Sequence, residues 1–285
     1  MKTKKILVLF IIAVSTSISI IGCKKKNNSV TDVDTSAASD NSTADAAFND
    51  VQNISDQAAK GALVFYSTLY NGTDSHIDAT SAKSSCATIT HDSISTPHIL
   101  TIDFGATNCL CTDGRNRRGI INVSYTGHYR DSASVHTTTF TNYFIDNNQL
   151  LGTKTVTNNG HNSSGHLTFT IVVDGQVIKA SGGGTHAWQA NRVREWMAGE
   201  STSAWLDDVY TITGYSTGTS VSGATYTSII TTPLHRALNC RWFDSGVVEV
   251  TPAGKPVRII NYGGGTCDNQ ATVTIGGTVY PITLH

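Results

Sequence analysis

The densest charge in this 285-residue chain lies in Asp113-Gly114-Arg115-Asn116-Arg117-Arg118-Gly119. On an extended path between two glycines, Arg115 and Arg117 project to the same side. A guanidinium pair of that kind is a fork for carboxylate, sulfate or phosphate oxygens. The plainer alternative is a tight turn at Asp113-Gly114 followed by solvated arginines. A second cluster runs from Trp188 to Trp196 through Arg192 and Arg194. In a strand these four share one face, and arginine over indole contributes ~0.5–1 kcal/mol at an exposed site. Such a ladder offers a platform to sugars or peptides, or else it stiffens and solubilises a sheet face. Trp205-Leu206-Asp207-Asp208 adds carboxylates that would pair with these arginines across strands. Arg115, Arg117, Trp188, Arg192, Arg194 and Trp196 are therefore the candidate ligand contacts.

Catalytic chemistry has no comparable signal. The ten histidines are dispersed, and neither His128/His136 nor His161/His166 has zinc-ligand spacing. Gly-x-Ser-x-Gly, His-Glu-x-x-His and a phosphate-binding glycine loop are all missing from the sequence. A Cys111/His128 dyad has only closeness in sequence behind it. Paired carboxylates for glycoside cleavage are placed by the fold, not by spacing. No catalytic residue, metal ligand or cofactor is assigned.

The elements that must carry these residues are mostly strands. Ile121, Val123 and Tyr125 alternate with polar residues, as do Leu167, Phe169, Ile171 and Val173, and again Val273 and Ile275. Period two with Thr, Val, Ile and Tyr enrichment is the half-buried strand pattern. Asn159-Gly160, Asp174-Gly175, Gly182-Gly183-Gly184 and Gly276-Gly277 read as turns between them. Without intervening helices the sheet must be antiparallel. The expectation is an all-β, mostly antiparallel domain, either a sandwich or a large curled open sheet with one wet face. One short helix precedes it, from Ala46 to Lys60, because Phe48, Val51, Ile54 and Ala58 recur at helical spacing before Gly61. Residues 62–69 continue that helix or begin a strand.

Two stretches match without a gap. Ile99-Leu100-Thr101-Ile102-Asp103-Phe104-Gly105 reaches Cys109 after three residues, and Val257-Arg258-Ile259-Ile260-Asn261-Tyr262-Gly263 reaches Cys267 at the same distance. Each follows a proline-containing turn and an earlier cysteine, Cys86 or Cys240. The shared plan of cysteine, strand, turn, strand, glycine loop, cysteine predicts disulfides Cys86–Cys109 and Cys240–Cys267. Each closed loop would contribute ~3 kcal/mol on the chain-entropy model. Cys111 is the odd thiol; it is either spare and buried or takes the place of Cys109.

The first residues read as an address. Lys2, Lys4 and Lys5 precede an apolar run from Ile6 to Val14, shorter than the ~20 residues a bilayer span requires. This is the pattern of a secretory signal. Ile20-Ile21-Gly22-Cys23 resembles the lipobox of bacterial lipoproteins, which implies removal of residues 1–22 and acylation of Cys23. Acyl chains add ~0.8 kcal/mol per buried methylene, so two or three hold durably. Lys24, Lys25 and Lys26 would lie at the headgroups. Residues 23–45, rich in Ser, Thr, Asn, Asp and Ala, read as a flexible tether. Residues 46–285 form the single folded domain. A formal net charge of −1 with 14% charged residues leaves no basic field for nucleic acid.

Asp103-Phe104-Gly105, Cys109 and Asp113-Gly114-Arg115-Asn116-Arg117-Arg118-Gly119, with the closing Gly265-Thr266-Cys267-Asp268-Asn269-Gln270-Ala271-Thr272-Val273, resemble motifs of Bacteroidota outer-membrane lipoproteins. The likeness covers the signal and most of the chain from Cys86 onward. It implies outer-membrane attachment on the periplasmic or outer face and carries no activity with it. The expected partners are the membrane, through the N-terminal lipid, and a glycan or protein ligand at the envelope. Three roles follow in order: binding or structural presence at the envelope, surface hydrolysis of glycan or peptide, and cupping of lipid or a lipoprotein chain. The last requires a continuous apolar concave face.

Overall fold

A computed structural model describes residues 32–59 and 86–284, apart from 93, 112, 203 and 205. The leader, Cys23, residues 62–69 and Trp205 lie outside the described residues. A compact unit begins at Asp32 and runs to the end of the chain.

The first element is a helix, α1 (Ser36–Ala59). Seven strands follow: β1 (Thr88–Asp92), β2 (His98–Asp103), β3 (Cys109–Leu110), β4 (Asn116–Tyr125), β5 (Val135–Ile145), β6 (Asn148–His161) and β7 (Leu167–Ile178). A short 3-10 turn leads to β8 (Thr185–Ala198), β9 (Val209–Thr219), β10 (Thr225–Ala237), β11 (Ser245–Pro252), β12 (Arg258–Gly264), β13 (Gln270–Ile275) and β14 (Thr278–Thr283). All join one antiparallel sheet in sequence order, except that the two-residue β3 pairs beside β4 off the main path. The sheet stays open, with β1 and β14 as its edges. It curls, because α1 packs against β2, β4, β8 and β11, far apart in strand order. Of the two expected architectures, the curled open sheet is the one formed.

Alternation sets the faces. Leu167, Phe169, Ile171 and Val173 of β7 are buried, as are Ile121, Val123, Val273 and Ile275. Their neighbours Thr168, Thr170, Asn122 and Thr274 lie on the wetter outer face. Gly182–Gly184 and Gly276-Gly277 are turns as expected. Asn159-Gly160 and Asp174-Gly175 are not. Gly160, at φ 78, forms a bulge inside β6. Gly175 sits within β7 under α1, where an added Cβ would lie 2.2 Å from Phe48 Cζ. That glycine serves close approach of helix to sheet, which a turn-forming sequence cannot distinguish from a reversal. The reversal between β5 and β6 is made by Asp146-Asn147, both at positive φ (49 and 64), as a two-residue hairpin of this kind requires.

The tether expectation is corrected over residues 36–45. α1 starts at Ser36 instead of Ala46, and Ala37, Ala38, Asp40, Asn41, Ala44 and Asp45 are all buried. A helix needs an apolar stripe only when one side is wet. This one packs against the sheet along most of its length, so many of its polar side chains find partners in the interior. Asn41 Oδ1 accepts from Trp188 Nε1 (3.1 Å) and Ser216 Oγ (2.9 Å). Asp40 accepts from Lys179 Nζ (2.5 Å) and the Val221 amide (3.0 Å). Such satisfaction is the condition for burying polar groups.

Both disulfides form, Cys86–Cys109 and Cys240–Cys267. Cys111 is the free, buried thiol, and burial pushes its pKa up. The duplicated plan is visible as Cys86, β1, turn, β2, glycine, Cys109 and as Cys240, β11, turn, β12, glycine, Cys267.

Candidate functional site

Five of the six candidate contacts project into the trough. Arg117 of β4 is fully buried and donates through Nη1 and Nη2 to Asp113 (2.9 and 2.7 Å) and through Nη2 to both oxygens of Asp50 (3.0 and 2.9 Å). Against the cost of burial, Arg117, Arg115 and Arg241 hold the Asp50 carboxyl below its ordinary value. On β8, Trp188, Arg192, Arg194 and Trp196 do share one face, and all four are buried on it. Arg192 Nη2 donates to Asp45 (3.3 Å) and its guanidinium lies 5.7 Å from the Trp188 ring centre. Arg194 lies over Tyr210 (4.5 Å) and Phe169 (5.0 Å), not over an indole. Arg130 covers Trp196 at 4.7 Å.

These residues are not the exposed platform suggested by sequence. Period two told which side chains go together but not which side the sheet would curl towards. The acidic residues of α1 decide it, because Asp40, Asp45 and Asp50 meet Lys179, Arg192 and Arg117. Asp207 accepts from Thr202 (2.9 Å) instead of an arginine. Arg115 alone of the six is part-exposed, and its Nε donates to Asp146 (2.8 Å).

The trough is therefore filled by a helix and studded with cations, not continuously apolar. It is not filled completely. Beside the last turns of α1 a cavity of about 400 Å³ remains, within the ~300–1,000 Å³ of small-molecule sites. Tyr125, Tyr129, Trp196 and Tyr210 make an aromatic wall from the sheet side. Gln52, Asn53, Ser55, Asp56 and Gln57 make a polar wall from the helix. His136 and Asp208 complete the floor. Trp196 Nε1, Tyr129 Oη and His136 Nε2 are buried there with no hydrogen-bond partner among the described residues. Buried polar atoms are seldom left in that state, and these three line one cavity.

Burial pushes the Asp56 carboxyl up, against Arg194 and the Gln52 amide (2.6 Å), which favour its ionised form. Burial likewise lowers the His136 imidazole, favouring its neutral form. Trp196 is the one sequence-predicted residue that lines this cavity. The helix half was missed because Gln52 to Gln57 carry no motif and gain meaning only when the sheet closes over them. Among the described residues no group of three or more His, Cys, Asp or Glu is placed to hold a metal ion, and no helix is long and apolar enough to cross a membrane.

Compared with protein-family models, curated proteins and solved structures, the chain matches none of them.

Proposed function

We propose that this chain is an exported, lipid-anchored binding protein of the bacterial envelope, and that its ligand occupies the cavity between the end of α1 and the sheet. The anchor is Cys23, on the lipobox reading of Ile20-Ile21-Gly22-Cys23. The observation that carries the binding role is the set of three unpartnered buried polar atoms in one 400 Å³ cavity. An aromatic wall facing amides, a hydroxyl and a carboxyl suits a neutral polyhydroxylated ring: carbon-bound hydrogens pack on the aromatics, and hydroxyls bond the polar wall. A saccharide unit has that chemistry. A cationic ligand fits less well, because arginines already lie over Trp196, Tyr129 and Tyr210.

A second reading has one observation in its favour. Asp56 and Asp208 line the same cavity, and Asp56 is shifted toward its protonated form. A neutral carboxyl beside another carboxyl is the equipment of glycoside cleavage.

The test uses the full chain purified from membranes in mild detergent. Intact mass should show loss of residues 1–22 and acyl adducts on Cys23. A glycan panel scored by thermal denaturation should contain a ligand that stabilises the fold. At a hundredfold excess over Kd that amounts to ~2.7 kcal/mol, or roughly 5–10 °C for a domain of this size. Asn53→Leu, on the polar wall, should remove the shift. A melting temperature unmoved by every glycan refutes the binding site, and an unmodified, soluble chain refutes the anchor. Turnover lost in Asp56→Asn would replace binding by hydrolysis.

A further inference from the structure

The chain enters the folded unit beside the hairpin that joins β11 to β12. Arg258 donates through Nη2 to Asp32 (2.5 Å) and through Nε to the Asp34 carbonyl (3.1 Å), and Lys255 Nζ donates to the Asp34 carboxylate (2.6 Å). A few residues on, Asp40 is bonded by Lys179 and the Val221 amide, which belong to the β7–β8 and β9–β10 turns. Register sets these turns side by side with Gly276-Gly277 between β13 and β14, since Ala187 pairs with Thr219, Tyr226 with Pro252 and Arg258 with Ile275. One end of the sheet is therefore the entry end.

The larger cavity lies at the other end. On β8 the entry end is Thr185, and the cavity residue is Trp196. On α1, Gln52 to Gln57 lie ~24–32 Å along the axis from Ser36, at ~1.5 Å per residue. The cavity lined by Ser39 to Asp50, nearer the entry, is about 70 Å³ against about 400 Å³ for the far one.

The two ends differ in charge. The entry turns 179–184, 220–224, 253–257 and 276–277 hold Lys179 and Lys255 but no Asp or Glu. The loops that reach the cavity, 126–134, 199–208 and 238–244, hold Asp131, Glu200, Asp207, Asp208 and Asp244 against Arg130 and Arg241. The entry end also presents apolar side chains. Arg258 points inward, so Val257 and Ile259 on either side of it point out, each 37% exposed. Ile259 and Val279, the latter 58% exposed, flank Thr274 on the outer face of β12–β14.

We propose that Val257, Ile259 and Val279, with Lys255, are the face this protein rests on the headgroups of an anionic bilayer, so that the ligand cavity is held at the far end. This orientation rests on acylation of Cys23. That residue precedes Asp32 by nine positions, a reach of at most ~32 Å, which keeps the patch close to lipid. Three aliphatic side chains are too few to hold a protein on a membrane alone; the anchor supplies the local concentration. Anionic lipid attracts lysine and repels carboxylates within about a Debye length, so the entry end is the one turned to the membrane.

The experiment places the full acylated chain in phosphatidylglycerol-containing vesicles, with an environment-sensitive fluorophore on one introduced cysteine. The variants are Ile259→Cys, Val279→Cys, Val172→Cys on the outer face of β7, and Ser201→Cys in a cavity-end loop. Cys111 is buried and stays unlabelled in the native protein. Spin-labelled phospholipid should quench the Ile259 and Val279 labels at least twofold more than the Val172 and Ser201 labels. Equal quenching at all four positions in an acylated, vesicle-bound chain overturns this face and leaves the anchor standing. A chain without acyl adduct that stays off the vesicles overturns the anchor and this face together. A concentration-dependent emission shift at Val279 without lipid quenching would mean that a second copy covers the patch, and would overturn the lipid assignment.

Discussion

Phe48→Ala is the sharpest test of α1 as the centre of the fold. Phe48 is 2% exposed and stacks on Trp188, with centroids 5.7 Å apart and planes 21° from parallel; it also meets Phe140 edge-on at 6.0 Å. The backbone below it is Gly175, so no side chain beneath is available to fill the hole. Truncating a buried phenylalanine without relaxation loses ~3–5 kcal/mol, a large share of the ~5–15 kcal/mol that holds a domain folded. With a guanidinium slope of ~5 kcal/mol per molar, the unfolding midpoint should fall by roughly 0.6–1 M. Tryptophan fluorescence reports it, because the Trp188 indole loses its stacked partner. Ile229→Ala on the outer face, where Ile229 is 52% exposed, should stay within ~0.5 kcal/mol of the parent. If Phe48→Ala lost no more than Ile229→Ala, α1 would not be held in the trough, and the proposed ligand site would lose its helix wall.

Arg117→Met should lose ~3–5 kcal/mol, because it strands Asp50 and Asp113; adding Asp50→Asn and Asp113→Asn should recover much of that in the same denaturation assay. Lys154, buried on β6 with Nζ donating to the Phe48 carbonyl (2.8 Å), is pushed down to about 8 by burial. Between pH 8 and the ordinary lysine value the unfolded chain carries the extra proton, so stability should rise with pH in that window. Above about pH 10 the buried Tyr143, Tyr210, Tyr226 and Tyr262, all pushed up by burial, act in the opposite sense. Unfolding midpoints of Lys154→Met from pH 8 to 10 should lack the parent's gain. Thiol titration with a chromogenic disulfide should find none reacting in the native protein and one, Cys111, after unfolding; a second would refute acylation of Cys23.

Much of the architecture was legible because it rests on local rules. Period two in β4, β7 and β13 gave antiparallel strands with one wet face, since successive side chains must point to opposite sides of a pleated backbone. The matched spacing before Cys109 and Cys267 gave both disulfides, because two similar hairpins bring their flanking cysteines together in the same way. The grouping of Trp188, Arg192, Arg194 and Trp196 on one face was legible for the same reason.

The sequence could not assign that face to the inside, and the exposed reading of Arg117 failed with it. Burial of a guanidinium depends on whether a carboxylate lies across from it, and Asp50 and Asp45 are 67 and 147 residues away from Arg117 and Arg192. The same non-local pairing turned Ser36–Asp45 from an apparent linker into helix: its Asn and Asp side chains look solvent-seeking until the sheet surrounds them with Trp188, Ser216 and Lys179. Gly175 read as a turn because a missing Cβ permits either a reversal or a close approach, and only Phe48 above it distinguishes the two. Both cavities belong to this second category. They are spaces left between a helix near the start of the chain and strands up to some 240 residues later, so no stretch of sequence contains either of them.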